Sequence, residues 1–149
     1  MRHLFCLVMI LAAANAVFGA QGMKSVKSAH SVGETADRLE SALKEKGMTV
    51  FVRIDHAAAA KNIGQYLRPT ELVIFGNPKV GTPLMTCRQT IALDLPQKAL
   101  IWEDEEGAVW LSYNEPAYLA RRHDLEGCQD VLAKVATALS NFAAAATAP

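Results

Sequence analysis

The sequence has no excess of charge of either sign: Lys+Arg and Asp+Glu each number 15 among 149 residues. A nucleic-acid binder carries a basic bias, so no nucleic acid is expected as a partner. Cysteine is scarce, at 3 in the chain, and none falls in CxxC or CxxCH spacing. That excludes the usual structural zinc and c-type haem signatures. There is no ordered-glycine loop ending in Lys-Ser/Thr, so no phosphate-cradling nucleotide site is indicated. Nothing in these patterns asks for a cofactor. Internal repeats are missing too, and the length suits one domain with its own core.

Long apolar runs are confined to the N-terminus. Arg2 and His3 precede the apolar stretch Leu4–Ala14, and small residues follow through Ala20. This is the pattern of a secretory signal peptide, residues 1–19, with cleavage after Gly19 and Val17 at the third position back. The run is shorter than the ~20 residues a bilayer span needs. No stable membrane insertion is expected after cleavage, and the mature chain is expected in the periplasm or secreted. Cys6 leaves with the leader. Cys87 and Cys128 remain, and two readings stand: they pair in an oxidising compartment, or each is a free thiol in an apolar helical stripe.

Along the mature chain, Met23–His30 reads as a first strand. Ser31-Val-Gly-Glu34 is a capping box, and Val32, Ala36, Leu39 and Leu43 follow at helical spacing. Thr49–His56 reads as a strand with Val50, Val52 and Ile54 on one face and Phe51, Arg53 and Asp55 on the other. Glu71–Phe75 is the next strand. Asn77–Thr82 reads as a Gly/Pro-rich turn, with Thr82 as N-cap and Pro83 as first residue of a helix ending before Pro96. Ala99–Tyr113 is a hairpin around Asp104–Gly107, pairing Trp102 with Val109. That register puts Ile101 opposite Trp110 on a second apolar face, and puts Trp102 and Trp110 on different faces. A last helix is expected from about Glu126 to Phe142, and residues 143–149 form an Ala-rich tail expected to fray. The string predicts an α+β fold, a two-layer α/β sandwich with a mostly antiparallel sheet covered by helices, over residues 23–142.

Candidate chemistry gathers around the turn. His56 ends a strand beside Asp55, and because an imidazole titrates near neutral pH it suits a general base or a ligand; the blander reading is a histidine satisfied by a backbone carbonyl at the edge of the core. Asn77 to Thr82, with Lys79 above, can form an anion-holding concavity, or merely a shaped return. Asp94 can orient an imidazole or cap a turn. No metal is indicated, since nothing in the spacing of His56, Cys87 and His123, the weak candidates for a borderline metal, makes them converge. The acidic run Glu103–Glu106 reads as a solvated turn.

Several segments together resemble the DUF302 family of small bacterial proteins: Leu67-Arg-Pro-Thr70, Ile74-Phe-Gly-Asn-Pro78, Gly81-Thr-Pro-Leu-Met85, Ala92-Leu-Asp-Leu-Pro96, Ile101-Trp-Glu-Asp104, Ser112-Tyr-Asn-Glu-Pro116 and Arg122-His123. The resemblance covers nearly all of the mature chain. It implies a compact two-layer α/β domain, often dimeric, with no established biochemical role. The family's pattern includes residues at the positions of His56, Gly76–Pro78, Gly81–Pro83, Asp94 and Tyr113–Pro116. Where family members often have glycine after the arginine-histidine pair, this chain has Asp124.

The expectation is therefore a small-molecule or small-anion site lined by His56, Asn77, Lys79, Thr82, Asp94 and Tyr113, in a protein that forms a homodimer. Two alternatives stay open. One is an enzyme with His56 as general base oriented by Asp94. The other is a structural or protein-interaction module using the Ile101/Trp110 sheet face.

Overall fold

Strand β1 (Met23–Lys27) lies at one edge of a five-stranded sheet whose order is β1-β5-β4-β3-β2. The others are β2 (Thr49–Asp55), β3 (Thr70–Gly76), β4 (Gln97–Glu103) and β5 (Val109–Asn114), and every neighbouring pair is antiparallel. The computed structural model describes residues 20–149; the expected signal sequence, 1–19, lies outside the described residues. The α+β sandwich read from the sequence is the fold found, with an antiparallel sheet throughout.

Helix α1 (Val32–Glu45) starts where the sequence places it. Ser31 Oγ accepts a hydrogen bond from the Glu34 amide at 3.3 Å. Glu34 departs from the full capping box: its carboxylate lies 3.0 Å from Nδ1 of His30. Val32, Ala36, Leu39 and Leu43 are all buried and face Val73, Phe75, Ile101 and Leu111 of the sheet. Burying a stripe of this size is what holds an amphipathic helix, at about 1.5–3 kcal/mol for each large aliphatic side chain.

Strand β2 corrects the simple alternation. A register shift between Val50 and Val52 pairs Val50 with Phe75 but Val52 with Ile74. The extra residue, Phe51, turns Arg53 to the helix-covered face. Its guanidinium pairs there with Glu71, and with Asp37 at 2.5 Å from α1. The hydrogen bond to Glu71 is the largest influence raising the Arg53 pKa above its usual range, with burial opposing it.

The hairpin β4–β5 differs from expectation by one residue. Glu103 pairs with Val109 and Trp102 with Trp110, so five residues, Asp104 to Ala108, form the loop. Gly107 accepts a left-handed backbone (φ 77°), its amide donates to Asp104 O, and the Asp104 amide donates to Ala108 O. This is a type I turn closed by a G1 bulge, which needs the odd residue count. A one-residue shift exchanges the faces. Ile101 therefore sits opposite Leu111 and is wholly buried beneath the helices. Trp102 and Trp110 lie side by side on the other face, which corrects both the proposed Ile101/Trp110 surface and the separation of the tryptophans.

The C-terminus is also more ordered than its composition suggests. Helix α5 (Gln129–Thr147) continues past Phe142, and Ala143, Ala146 and Thr147 are buried. The Ala29 amide donates to Thr147 O, and Arg38 Nη2 donates to Ala148 O. Alanine offers no large side chain to bury, but it has high helix propensity and lets the helix lie close to α1. Helix α4 (Pro116–His123) ends at Asp124, which takes the left-handed conformation (φ 52°) where the family's glycine was noted.

Candidate functional site

Asn77, Pro78 and Gly81 behave differently from a loop. Helix α3 (Pro78–Cys87) begins at the first proline, with Asn77 as N-cap: its Oδ1 accepts from the Lys79 amide at 2.9 Å. Asn77 Nδ2 donates to Gly47 O at 3.3 Å, tying the cap to the turn after α1. Asn-Pro is as good a starting signal as Thr-Pro, and the earlier one is used. Pro83 is then inside the helix, and the Thr82 amide lies in its second turn. The amides of Val80 and Gly81 both donate to Asn77 O. The anion concavity expected at Asn77–Thr82 is therefore replaced by ordinary helix. Lys79 is exposed and is not part of the lining of the recess that the segment borders.

That recess is a half-open cavity of about 500 Å³. Its floor is Phe75 and Leu84, one wall is α3 with Gly81, Thr82 and Met85, and the opposite wall is α5 with Val135, Ala138, Leu139 and Phe142. Phe51, pushed out by the bulge, stands at the rim with Met48. Leu95 and Pro96 close a further side after the 3₁₀ turn Gln89–Leu93. Polar side chains are few: Asn77, Thr82, Gln97 and Lys134. Gly76 matters because its backbone runs between Phe51 and Pro96; an added Cβ would sit 3.3 Å from the Phe51 ring and 3.4 Å from Pro96.

A disulfide joins the far ends of the two walls. Cys87, the last residue of α3, is bonded to Cys128, the N-cap of α5, with Cα atoms 6.6 Å apart. Of the two readings left open by the sequence, pairing is the one found.

The remaining candidates are not assembled into one site. His56 is exposed at the first position of α2 (His56–Asn62), where Asp55 caps the helix by accepting from the Ala58 amide at 2.8 Å. Thr49 pairs with Gly76 and Asp55 with Glu71, so His56 lies at the opposite end of β2 from Asn77. At ~3.3 Å per residue that is about 20 Å. The antiparallel pairing of β2 with β3 explains the misplacement, because it sets the C-terminal ends of the two strands, and with them His56 and Asn77, at opposite ends of the sheet. Asp94 does orient an imidazole, but it belongs to His123: Nε2 of His123 lies 2.5 Å from Asp94 Oδ2. The His56/Asp94 base pairing is accordingly not formed. Tyr113 is buried against Ala99 on the helix-covered face, outside the cavity lining. His56, Cys87 and His123 do not converge, and Cys87 is committed to its disulfide.

Only Asn77 and Thr82 of the six expected ligand contacts line the cavity. The walls that sequence reasoning missed come from α5. Val135, Leu139 and Phe142 were legible as a buried stripe, but a stripe facing a void has the same pattern as one facing a packed core. The small residues Gly81 and Ala138, on facing walls, were the available signal.

The family model described as domain of unknown function DUF302 matches residues 24–142. The chain belongs to the DUF302 family. A crystal structure of an uncharacterized conserved protein DUF302 from Bacillus stearothermophilus superimposes with a TM-score of 0.77 at 18% identity, covering 85% of this chain and 99% of that one. At that identity the DUF302 likeness speaks for the fold. Two proteins named fluoride-specific ion channel FluC 1, from Brucella suis biovar 1 and Brucella abortus biovar 1, are 54% identical over 113 residues. The match covers 76% of this chain but only 44% and 42% of those proteins. This chain thus spans less than half the length of the curated relatives it matches. Among the described residues, no helix is long and apolar enough to cross a membrane.

Proposed function

We propose that this DUF302 domain is an exported small-ligand-binding protein whose ligand is largely apolar. The observation that carries the reading is the cavity of about 500 Å³ between α3 and α5, walled by Leu84, Met85, Leu95, Val135, Leu139 and Phe142. Small-molecule sites have this size and this balance, mostly apolar with a few convergent polar groups. Asn77, Thr82, Gln97 and Lys134 would orient a polar end of the ligand. Export is supported by the signal-like N-terminus and by the Cys87–Cys128 disulfide, which persists in oxidising compartments.

The names of the Brucella relatives do not alter the ligand class. This chain spans less than half of those proteins, so the activity in their names is not carried over to it. Fluoride is small and strongly hydrated, and a recess whose walls are mostly apolar offers few groups to replace its water. Titration of the mature protein with 1-anilinonaphthalene-8-sulfonate, with native mass spectrometry of protein isolated from its own host, tests the reading. Ala92→Trp and Ala138→Phe add bulk at lining positions that are exposed or half-buried. Saturable probe fluorescence should weaken at least tenfold in both while the melting temperature holds. Unchanged probe binding in both would refute the site.

A second reading concerns the other face of the sheet. Val52, Leu72, Ile74, Leu100, Trp102 and Trp110 alternate out of the helix-covered side, and each retains exposure. Trp102 Nε1 donates to Ser112 Oγ at 2.9 Å and Trp110 Nε1 donates to Asp104 Oδ2 at 2.7 Å, so both indole N–H groups are satisfied. An apolar face of this kind suits a second copy of the chain. Sedimentation equilibrium should report a dimer that Leu100→Glu dissociates; a monomer at every concentration would remove this reading.

A further inference from the structure

A second group of polar residues lies outside the cavity, where the C-terminus of α4 meets the 3₁₀ turn. His123 is at its centre, with a side chain only 6% exposed. Its Nε2 is 2.5 Å from Asp94 Oδ2, and its Nδ1 is 3.3 Å from Thr90 Oγ1. Arg122 holds the other carboxylate oxygen at 3.4 Å, and Arg88 Nε donates to His123 O at 3.1 Å. Arg88 is anchored in turn by Asp124 at 2.9 Å. Thr90 itself is exposed.

The arrangement has an electronic consequence. Asp94 accepts the Nε2 proton, which leaves the lone pair of Nδ1 directed at the Thr90 hydroxyl. A hydroxyl, a base in hydrogen-bond reach of it and a carboxylate that orients the base are the parts of an activated nucleophile. The hydroxyl is the member open to solvent, and the base and orienter are the members withdrawn from it. Arg122 on Asp94 and Arg88 on the His123 carbonyl and Asp124 hold the carboxylate and the histidine backbone in place.

We propose that Thr90, His123 and Asp94 form an acyl-transfer site for carboxylic esters. Thr90 Oγ1 attacks the ester carbonyl carbon, forming a new C–O bond, and His123 Nδ1 takes the hydroxyl proton. The bond to the alcohol breaks, and the departing oxygen receives that proton from His123. Water then attacks the acyl-threonine carbonyl, giving its proton to the same nitrogen. The carboxylic acid leaves as the proton returns to Thr90. No metal or redox partner enters the balance.

The test uses the mature, disulfide-bonded chain with p-nitrophenyl acetate and p-nitrophenyl butyrate. Release of nitrophenol should show a burst, and tryptic mass spectrometry should place the acyl adduct on Thr90. Thr90→Val, at an exposed position that tolerates substitution, should lose burst and adduct, and Thr90→Ser should keep both. Asp94→Asn should slow acylation by about 10²-fold or more, as expected for disabling a general base. If His123 and Asp94 merely clamp α4 to the turn, Thr90→Val will react like the wild type. That result, or wild-type protein without a Thr90 adduct, overturns the assignment.

Discussion

Opening the Cys87–Cys128 disulfide should cost this domain a large part of its stability. The bond closes a segment of sequence separation 41 that runs from the end of α3 to the start of α5. In the chain-entropy picture a loop of that length contributes about 4 kcal/mol, chiefly by restricting the unfolded chain. The native state loses little directly, because Cys128 is buried beside α3 whether or not it is bonded, and the contacts of Leu84 and Leu139 remain. For a domain of this size, 1 kcal/mol moves the melting temperature by roughly 3–5 °C. Reduction, or the paired change Cys87→Ala with Cys128→Ala, should therefore lower it by about 12–20 °C. Urea melts of oxidised protein, reduced protein and the double variant, with fluorescence of Trp102 and Trp110 as the signal, measure the difference. Reduced protein and double variant should agree with each other. Two free thiols per chain in denatured, unreduced protein, or equal midpoints with and without reductant, would refute the pairing and remove one support for export.

Two smaller perturbations probe the elements that frame the sheet. Gly22 has φ 79°, and an added Cβ would sit 2.1 Å from Tyr118 Cγ and 2.6 Å from its Cβ. Gly22→Ala should cost about 2 kcal/mol or more in a urea melt, combining a left-handed backbone penalty of ~1–2 kcal/mol with the clash; in a Tyr118→Ala background only the backbone part should remain. Asp104 has its pKa lowered from 3.8, first by the hydrogen bond from Trp110 and then by the amides of Ala108 and Glu106. Stability tied to a depressed carboxylate is present above the unfolded pKa and is lost as pH falls through the folded one. Wild-type protein should thus weaken below about pH 4 with a change in Trp110 fluorescence, and Asp104→Asn should lack that contribution; identical acid profiles would contradict it.

How far the sequence could be read depended on whether a feature was local. Helix α1 is local: a cap at Ser31 and a stripe at Val32, Ala36, Leu39 and Leu43 need no knowledge of the partner, and all were legible. The antiparallel α+β architecture followed from elements of that kind. The tail at 143–149 was misread because its order comes from distant partners, Ala29, His30 and Arg38, that donate hydrogen bonds to the carbonyls of Thr147 and Ala148. Helix α3 was misplaced for a different reason: two start signals, Asn-Pro and Thr-Pro, lie five residues apart, and local chemistry does not rank them.

Parity errors had the largest functional effect. One bulge at Phe51 and one extra loop residue at Ala108 each reversed a strand's faces, and both reversals bear on what the surfaces can do. Moving Ile101 inward and Trp102 outward converts a mixed surface into a paired-tryptophan platform. Turning Arg53 toward α1 fills the helix-covered side of an edge strand with an ion network, and the displaced Phe51 becomes a rim of the cavity. The same bulge therefore couples two regions. Deleting Phe51 should close the bulge while keeping Val50, Val52 and Arg53 opposite Phe75, Ile74 and Val73, so the ion network with Glu71 and Asp37 stays and only the cavity rim opens, as in Phe51→Ala. A deletion variant much less stable than Phe51→Ala in a urea melt would show that the facing of β2 does not survive loss of the extra residue.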